Sequence, residues 1–176
     1  MKKFELTSEF VTFLGKKLFR IKALVSFGDV KEGELGGLVE KEENLDQSGN
    51  AWVYGNARIS GDARVSGDAQ VSGNARVSGD AQVSGNAWVS GDAWVSGDAW
   101  VQNCRDYSAT SCFGSGNRTT TFFRTKDGGI SVRCGCFYGT LAEFREKVKE
   151  RHGGRRLAKE YLMLADLMEF RLSKDE

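Results

Sequence analysis

Residues Val77 to Trp100 read VSGDAQVSGNAWVSGDAWVSGDAW, four copies of a six-residue unit in which one position changes from Gln to Trp. The unit extends in both directions. From Gly49 it runs GNAWVY, GNARIS, GDARVS, GDAQVS, GNARVS, GDAQVS, GNAWVS, GDAWVS and GDAWVQ, nine hexads without insertion. Within each hexad Ala and Val or Ile alternate with a variable residue and Ser, the period-2 pattern of a short strand with one buried face. Gly followed by Asn or Asp then ends the strand, because these residues accept positive φ and the short polar side chain can bond local backbone. Each hexad is one strand plus one corner.

Strands this short cannot bury an apolar face alone, so successive hexads must wind into coils stacked at the strand spacing, about 4.8 Å. The motif, an aliphatic residue with a small one four positions later as in Val65 and Ala69, resembles the hexapeptide-repeat family. That resemblance covers Gly49 to Gln102 and implies a left-handed parallel β-helix of triangular section with 18 residues per coil. The expected architecture is mainly β: a helix of about three coils, an N-terminal β cap and a C-terminal α+β tail. The boundaries are residues 1–48 for the cap and entry coil, 49–102 for the repeats, 103–118 for a connecting loop and 119–176 for the tail.

An 18-residue period sorts the variable positions into three outward ladders. One face carries Trp52, Gln70 and Trp88, the second Arg58, Arg76 and Trp94, and the third Arg64, Gln82 and Trp100. Trp88, Trp94 and Trp100 then form an apolar belt around the last coil. Such a belt is expected to be covered by the following segment or by a neighbouring subunit; stacking of a ligand on indoles beside arginines is the other reading. Trp52, Trp88, Trp94, Trp100, Arg58 and Arg76 are therefore the candidate interface or binding residues. The Trp52, Gln70 and Trp88 face is the favoured subunit contact, and a homo-oligomer, with a trimer favoured, is expected. Along one edge Asp62, Asp80 and Asp98 stack, too few carboxylates to argue a cation site over ordinary turn residues.

The flanks are expected to close the open ends of the β-helix. KFELT and KLFRIKALVSF are strand-like, and the glycine-rich stretch after them reads as an irregular entry coil feeding Leu45 into the core. After the repeats, TTTFFRTKDGGISVRCGCF reads as a hairpin around Asp127, Gly128 and Gly129. Thr140 with Glu143 announces a helix by a capping box, with Leu141, Phe144 and Val148 as its apolar stripe and Gly153 ending it. A second helix from about Arg155 to Leu172 places Leu157, Tyr161, Leu164, Ala165 and Met168 on its buried side.

Composition excludes more than it assigns. With 25 Lys and Arg against 24 Asp and Glu, there is no global electrostatic case for nucleic acid or an anionic membrane, and any such patch must be local. No apolar segment of spanning length occurs, and the expected setting is the cytoplasm. Hexapeptide-repeat acyltransferases use a histidine base on the coils; here the single histidine, His152, falls at a predicted helix end, where a capping or solvated role is expected. The γ-type carbonic anhydrases of that fold need three. Cys104, Cys112, Cys134 and Cys136 lack the paired spacing of a zinc ribbon and read as free thiols. No cofactor or metal is expected. The basic run Arg145, Lys147, Lys149, Arg151, Arg155, Arg156, Lys159 reads as a solvated helix face, with contact to an acidic partner as the sharper alternative.

The order of the segments, an entry ending LGGLVEKEENL, hexads, and a tail containing CGCFYGTLAEF and ERHGG, is similar to that of small uncharacterised bacteriophage and prophage proteins. It implies a phage origin, the host cytoplasm and possible host protein partners, and transfers no activity. The first expectation is a non-catalytic structural or protein-interaction module. The alternative is a small-ligand binder or a degenerate hexapeptide acyltransferase working in grooves between subunits.

Overall fold

The computed structural model of the chain describes residues 1–173; the last three residues of the expected tail lie outside it. The hexads form nine two-residue rungs, β4 to β12 (Trp52–Val53, Arg58–Ile59, Arg64–Val65, Gln70–Val71, Arg76–Val77, Gln82–Val83, Trp88–Val89, Trp94–Val95, Trp100–Val101). They pair in parallel at an interval of 18 residues: Arg58 with Arg76 and Arg76 with Trp94, Trp52 with Gln70 and Gln70 with Trp88, Arg64 with Gln82 and Gln82 with Trp100. The coils are stitched by backbone bonds such as Arg58 N–H to Ala75 O (2.9 Å) and Ser60 N–H to Val77 O (3.0 Å). Every Ala and every Val or Ile of the hexads is buried, so the alternation has become two inward columns per face. The three ladders lie where the period puts them.

A further turn precedes the hexads. β1 (Phe4–Phe13) and β2 (Lys16–Ala23) form an antiparallel hairpin, β2 pairs with β3 (Leu35–Val39), and β3 joins β5 in parallel through Leu38 with Arg58 and Val39 with Ile59. One sheet therefore runs β1-β2-β3-β5-β8-β11. Its four parallel rungs make a solenoid of about four turns, with Leu45 bridging to Val65 as the expected entry residue. Asn44 is wholly buried at the entry corner. Its side-chain carbonyl accepts from the Glu40 and Lys41 N–H groups and its amide donates to Gly61 O and Ala63 O, which satisfies the group and fixes the corner. Lys3 is also buried, its ammonium donating to Ser48 O (3.2 Å) and Ala51 O (3.0 Å); burial pushes its pKa down, against the opposing pull of Asp46.

Two carboxylates brace this entry turn and make it acid-sensitive. Burial raises the Glu40 carboxyl, but the Gly61 N–H and the Lys16 ammonium outweigh it and hold the pKa below the usual value. The Ser48 N–H holds Asp46 down in the same way, against burial. A depressed carboxylate contributes stability above its unfolded-state pKa and loses it as pH falls through the folded value. The thermal midpoint is expected to be flat between pH 7 and 5 and to drop below about pH 4, with a shallower drop in Glu40→Gln. Parallel acid limbs for the two proteins would contradict this.

The segment read as a connecting loop, 103–118, instead contains a strand, β13 (Tyr107–Phe113). It pairs antiparallel with β14 (Arg118–Arg124), which pairs with β15 (Ile130–Cys134) and then β16 (Phe137–Thr140). The expected hairpin is thus the centre of a four-stranded sheet. Period-2 alternation along β14 sends neighbouring side chains into two cores. Phe123 plugs the end of the solenoid, whereas Phe122 packs with the two helices. Asp106, buried, accepts from the Gln102 and Asn103 N–H groups and pairs with Arg124 at 3.1 Å, closing the last coil.

The helices are α1 (Leu141–His152) and α2 (Arg156–Leu172). The capping box is present: Thr140 Oγ1 accepts from the Glu143 N–H, and the Glu143 carboxylate accepts from the Thr140 N–H. Leu141, Phe144 and Val148 are buried as expected, as are Tyr161, Leu164, Ala165 and Met168. Leu157 is only half-buried, and Ala158 takes the inner position at that turn.

Candidate functional site

The six candidate interface residues do not form one surface. Trp52 sits in its expected ladder but is 0% exposed, a correction to its reading as a residue of the subunit contact. Phe4 and Phe27 close on the indole edge-on, with ring centroids 6.2 and 5.4 Å away, so the N-terminal segment covers it. On the same face Trp88 remains 56% exposed, its Nε1 donating to Ser72 Oγ at 3.2 Å.

On the second face the arginines and Trp94 are half-buried and already stacked. The Arg58 and Arg76 guanidinium groups lie over the Phe13 ring at 4.5 and 5.0 Å, and Arg133 lies over Trp94 at 3.8 Å. These cation–π contacts tie the hairpin, the solenoid and the C-terminal sheet together. Of the belt, then, the tail covers Trp94, while Trp88 and Trp100 stay open. The third face, Arg64, Gln82 and Trp100, is the one exposed along its whole ladder. The Asp62, Asp80 and Asp98 edge is capped at both ends, by the Lys41 ammonium on Asp62 (2.6 Å) and the Tyr138 hydroxyl on Asp98 (3.4 Å).

The most chemically distinct concavity is one the sequence did not mark. A cleft of about 420 Å³ opens between the Cys134–Phe137 turn, the start of β14 and the last turns of α1. Arg118, Lys147, Arg151 and His152 line it, and no carboxylate does. Its floor is aromatic: Phe137 and Tyr161 each meet Phe144, at 5.6 and 5.8 Å, and His152 stacks on Tyr161 at 5.7 Å. Burial, with nearby Cys134, raises the Tyr161 phenol above its usual pKa. The basic run read as a solvated face turns out divided. Arg145 is held by Asp166 and Glu169, Lys147 by Glu150 and Lys149 by Glu146, and Arg151 faces the cleft. Among the described residues no three His, Cys, Asp or Glu side chains gather as a metal site, and no described helix is long and apolar enough to cross a membrane.

The chain is similar to a family described as YdcK beta solenoid repeat, whose model matches residues 57–71, 69–83 and 81–97. The match lies within the stacked rungs and supports a repeat β-solenoid; it does not reach the caps or the cleft. No curated protein matches the chain.

Proposed function

We propose that this chain is a non-catalytic structural or protein-interaction module, a rigid solenoid that assembles with copies of itself and displays its C-terminal unit to a protein partner. One observation carries the reading. On α2, Met163, Leu167 and Phe170 are 71, 56 and 82% exposed, at i, i+4 and i+7, so a single apolar stripe faces water on the side opposite the buried one. Monomeric proteins rarely leave contiguous apolar surface open without a use. Anchors at this spacing suit an amphipathic helix of a partner.

The open face of Arg64, Gln82 and Trp100, flat and uncovered, supports side-by-side packing in a homotrimer with the left-handed winding of hexapeptide-repeat proteins. It is preferred to the face of Trp52, Gln70 and Trp88 because the N-terminal segment already covers Trp52 there. The likeness of segment order to phage and prophage proteins supports a phage-encoded chain working on host machinery in the cytoplasm. The hexads carry no histidine, which weighs against the transferase alternative.

Affinity capture from host lysate with wild-type chain and with the Leu167→Glu, Phe170→Glu double variant tests the docking stripe. Both positions are exposed, so the variant should keep its stability within about 0.5 kcal/mol. The expected result is a stoichiometric prey held by the wild type and lost by the variant, with light scattering giving three chains per particle for both. Prey retained by the variant would overturn the stripe, and a monomer at tens of micromolar would overturn the assembly.

A further inference from the structure

We infer that the cleft between α1, α2 and the Cys134–Phe137 turn is a binding site for a small aromatic phosphate monoester, a nucleoside monophosphate being the simplest of the class. The first ground is charge. Basic and acidic residues are nearly equal in number along the chain, yet Arg118, Lys147, Arg151 and a histidine, with no carboxylate, line this cleft. Lys147 is neutralised by Glu150, and the C-terminal end of the α1 dipole contributes about half a negative charge. Arg118 and Arg151 make no ion pair among the described residues. The site is left with roughly one and a half positive charges before His152 is counted, close to the −1.5 to −2 that a phosphate monoester carries at neutral pH.

The second ground is the fit of backbone to guanidinium. Gly135, at φ +59°, forms the turn beneath Arg118, and a Cβ there would stand 3.0 Å from Arg118 Nη1. One at Gly116 would stand 3.3 Å from its Nε. Two glycines thus lie close against the Arg118 guanidinium where it lines the cleft, and its planar fork can bind a phosphate there through two N–H groups. The third ground is the floor. Phe137, Phe144, Val148 and Tyr161 give the organic part of a ligand an apolar, mainly aromatic surface. The volume falls within the range of sites that bury drug-sized molecules, about 300 to 1,000 Å³. This site is separate from the α2 stripe and stands or falls independently of it.

Calorimetry on the full chain at low salt tests it with four probes: adenosine monophosphate, adenosine, glucose 6-phosphate and inorganic phosphate. The nucleotide is expected to bind at least tenfold tighter than each of the others. Arg118→Gln and Arg151→Gln should each lose at least tenfold in nucleotide affinity with an unchanged thermal midpoint, since both side chains are exposed. Lys159→Gln, which removes a positive charge outside the cleft, should bind like the wild type. Equal binding of nucleotide and inorganic phosphate would overturn the aromatic part of the assignment. Nucleotide affinity indifferent to both arginine substitutions, or weakened equally by Lys159→Gln, would overturn the site.

Discussion

Replacing Gly79 by alanine is expected to destabilise the protein by about 2 to 5 kcal/mol, whereas the same change at Gly91, two hexads later, should cost only about 1 to 2. The two glycines have nearly the same backbone, φ +68° and +67°, so both substitutions incur the left-handed penalty. They differ in what lies above. A Cβ on Gly79 would stand 2.8 Å from Gly97 N and 3.1 Å from its Cα, while a Cβ on Gly91 meets nothing within 4 Å. The obstruction at Gly79 is backbone of the next coil, which cannot swing aside as a side chain can. Chemical denaturation of the two variants isolates the stacking contribution at constant φ. Equal losses would show that the corners tolerate a methyl group and that the glycines serve the turn alone.

Trp52→Ala should cost about 3 to 5 kcal/mol, the usual range for removing a large buried aromatic. The loss is expected to be uneven in space. Trp52 is the aromatic contact between the first hexad and the entry segment, through Phe4 and Phe27, so hydrogen exchange should accelerate most in β1 and β2 and least in β14. Its Nε1 is buried with no hydrogen-bond partner. Trp52→Phe therefore forfeits packing without forfeiting a hydrogen bond, and should retain more than half of the stability that alanine loses. Uniform acceleration across the chain would mean that the hairpin and the solenoid unfold together, contrary to an uneven loss.

What was legible in the sequence follows from how local each signal is. Inward columns and corners depend on residues within one hexad and its copies, so a repeated pattern states them many times over, whereas the 18-residue register is implied by the resemblance to hexapeptide-repeat proteins and not by the hexad alone. Trp52 shows the limit. It occupies the same position as Trp88 and Trp100 in an almost identical unit, and only phenylalanines 25 and 48 residues away in the chain decide that it is buried. Strand β13, written Tyr107 to Phe113 with Ser and Thr between, has little apolar alternation; pairing with β14 supplies its partner. The cleft was hidden for a related reason. Its residues come from segments near 118, 135, 150 and 161 with no motif spacing, and nothing in the basic run itself marks Arg145 as the one held by Asp166 and Glu169. The one hint in the sequence is His152 beside Arg151 at a helix end, a placement that equally suits a capping or solvated role.

The parallel register of the rungs also sets a phase for everything attached to them. Each hexad turns the chain by one face of a three-sided prism, so the direction in which the C-terminal unit leaves depends on the number of hexads modulo three. A chain shortened by the three middle hexads would lose one layer, about 4.8 Å of height, and still present the tail on the same side, where Arg133 can reach Trp94. A chain shortened by one would send the tail out roughly a third of a circle away from the N-terminal hairpin. Length in this architecture is thus free to vary only in steps of 18, and the azimuth between the two caps is inherited unchanged through every such step.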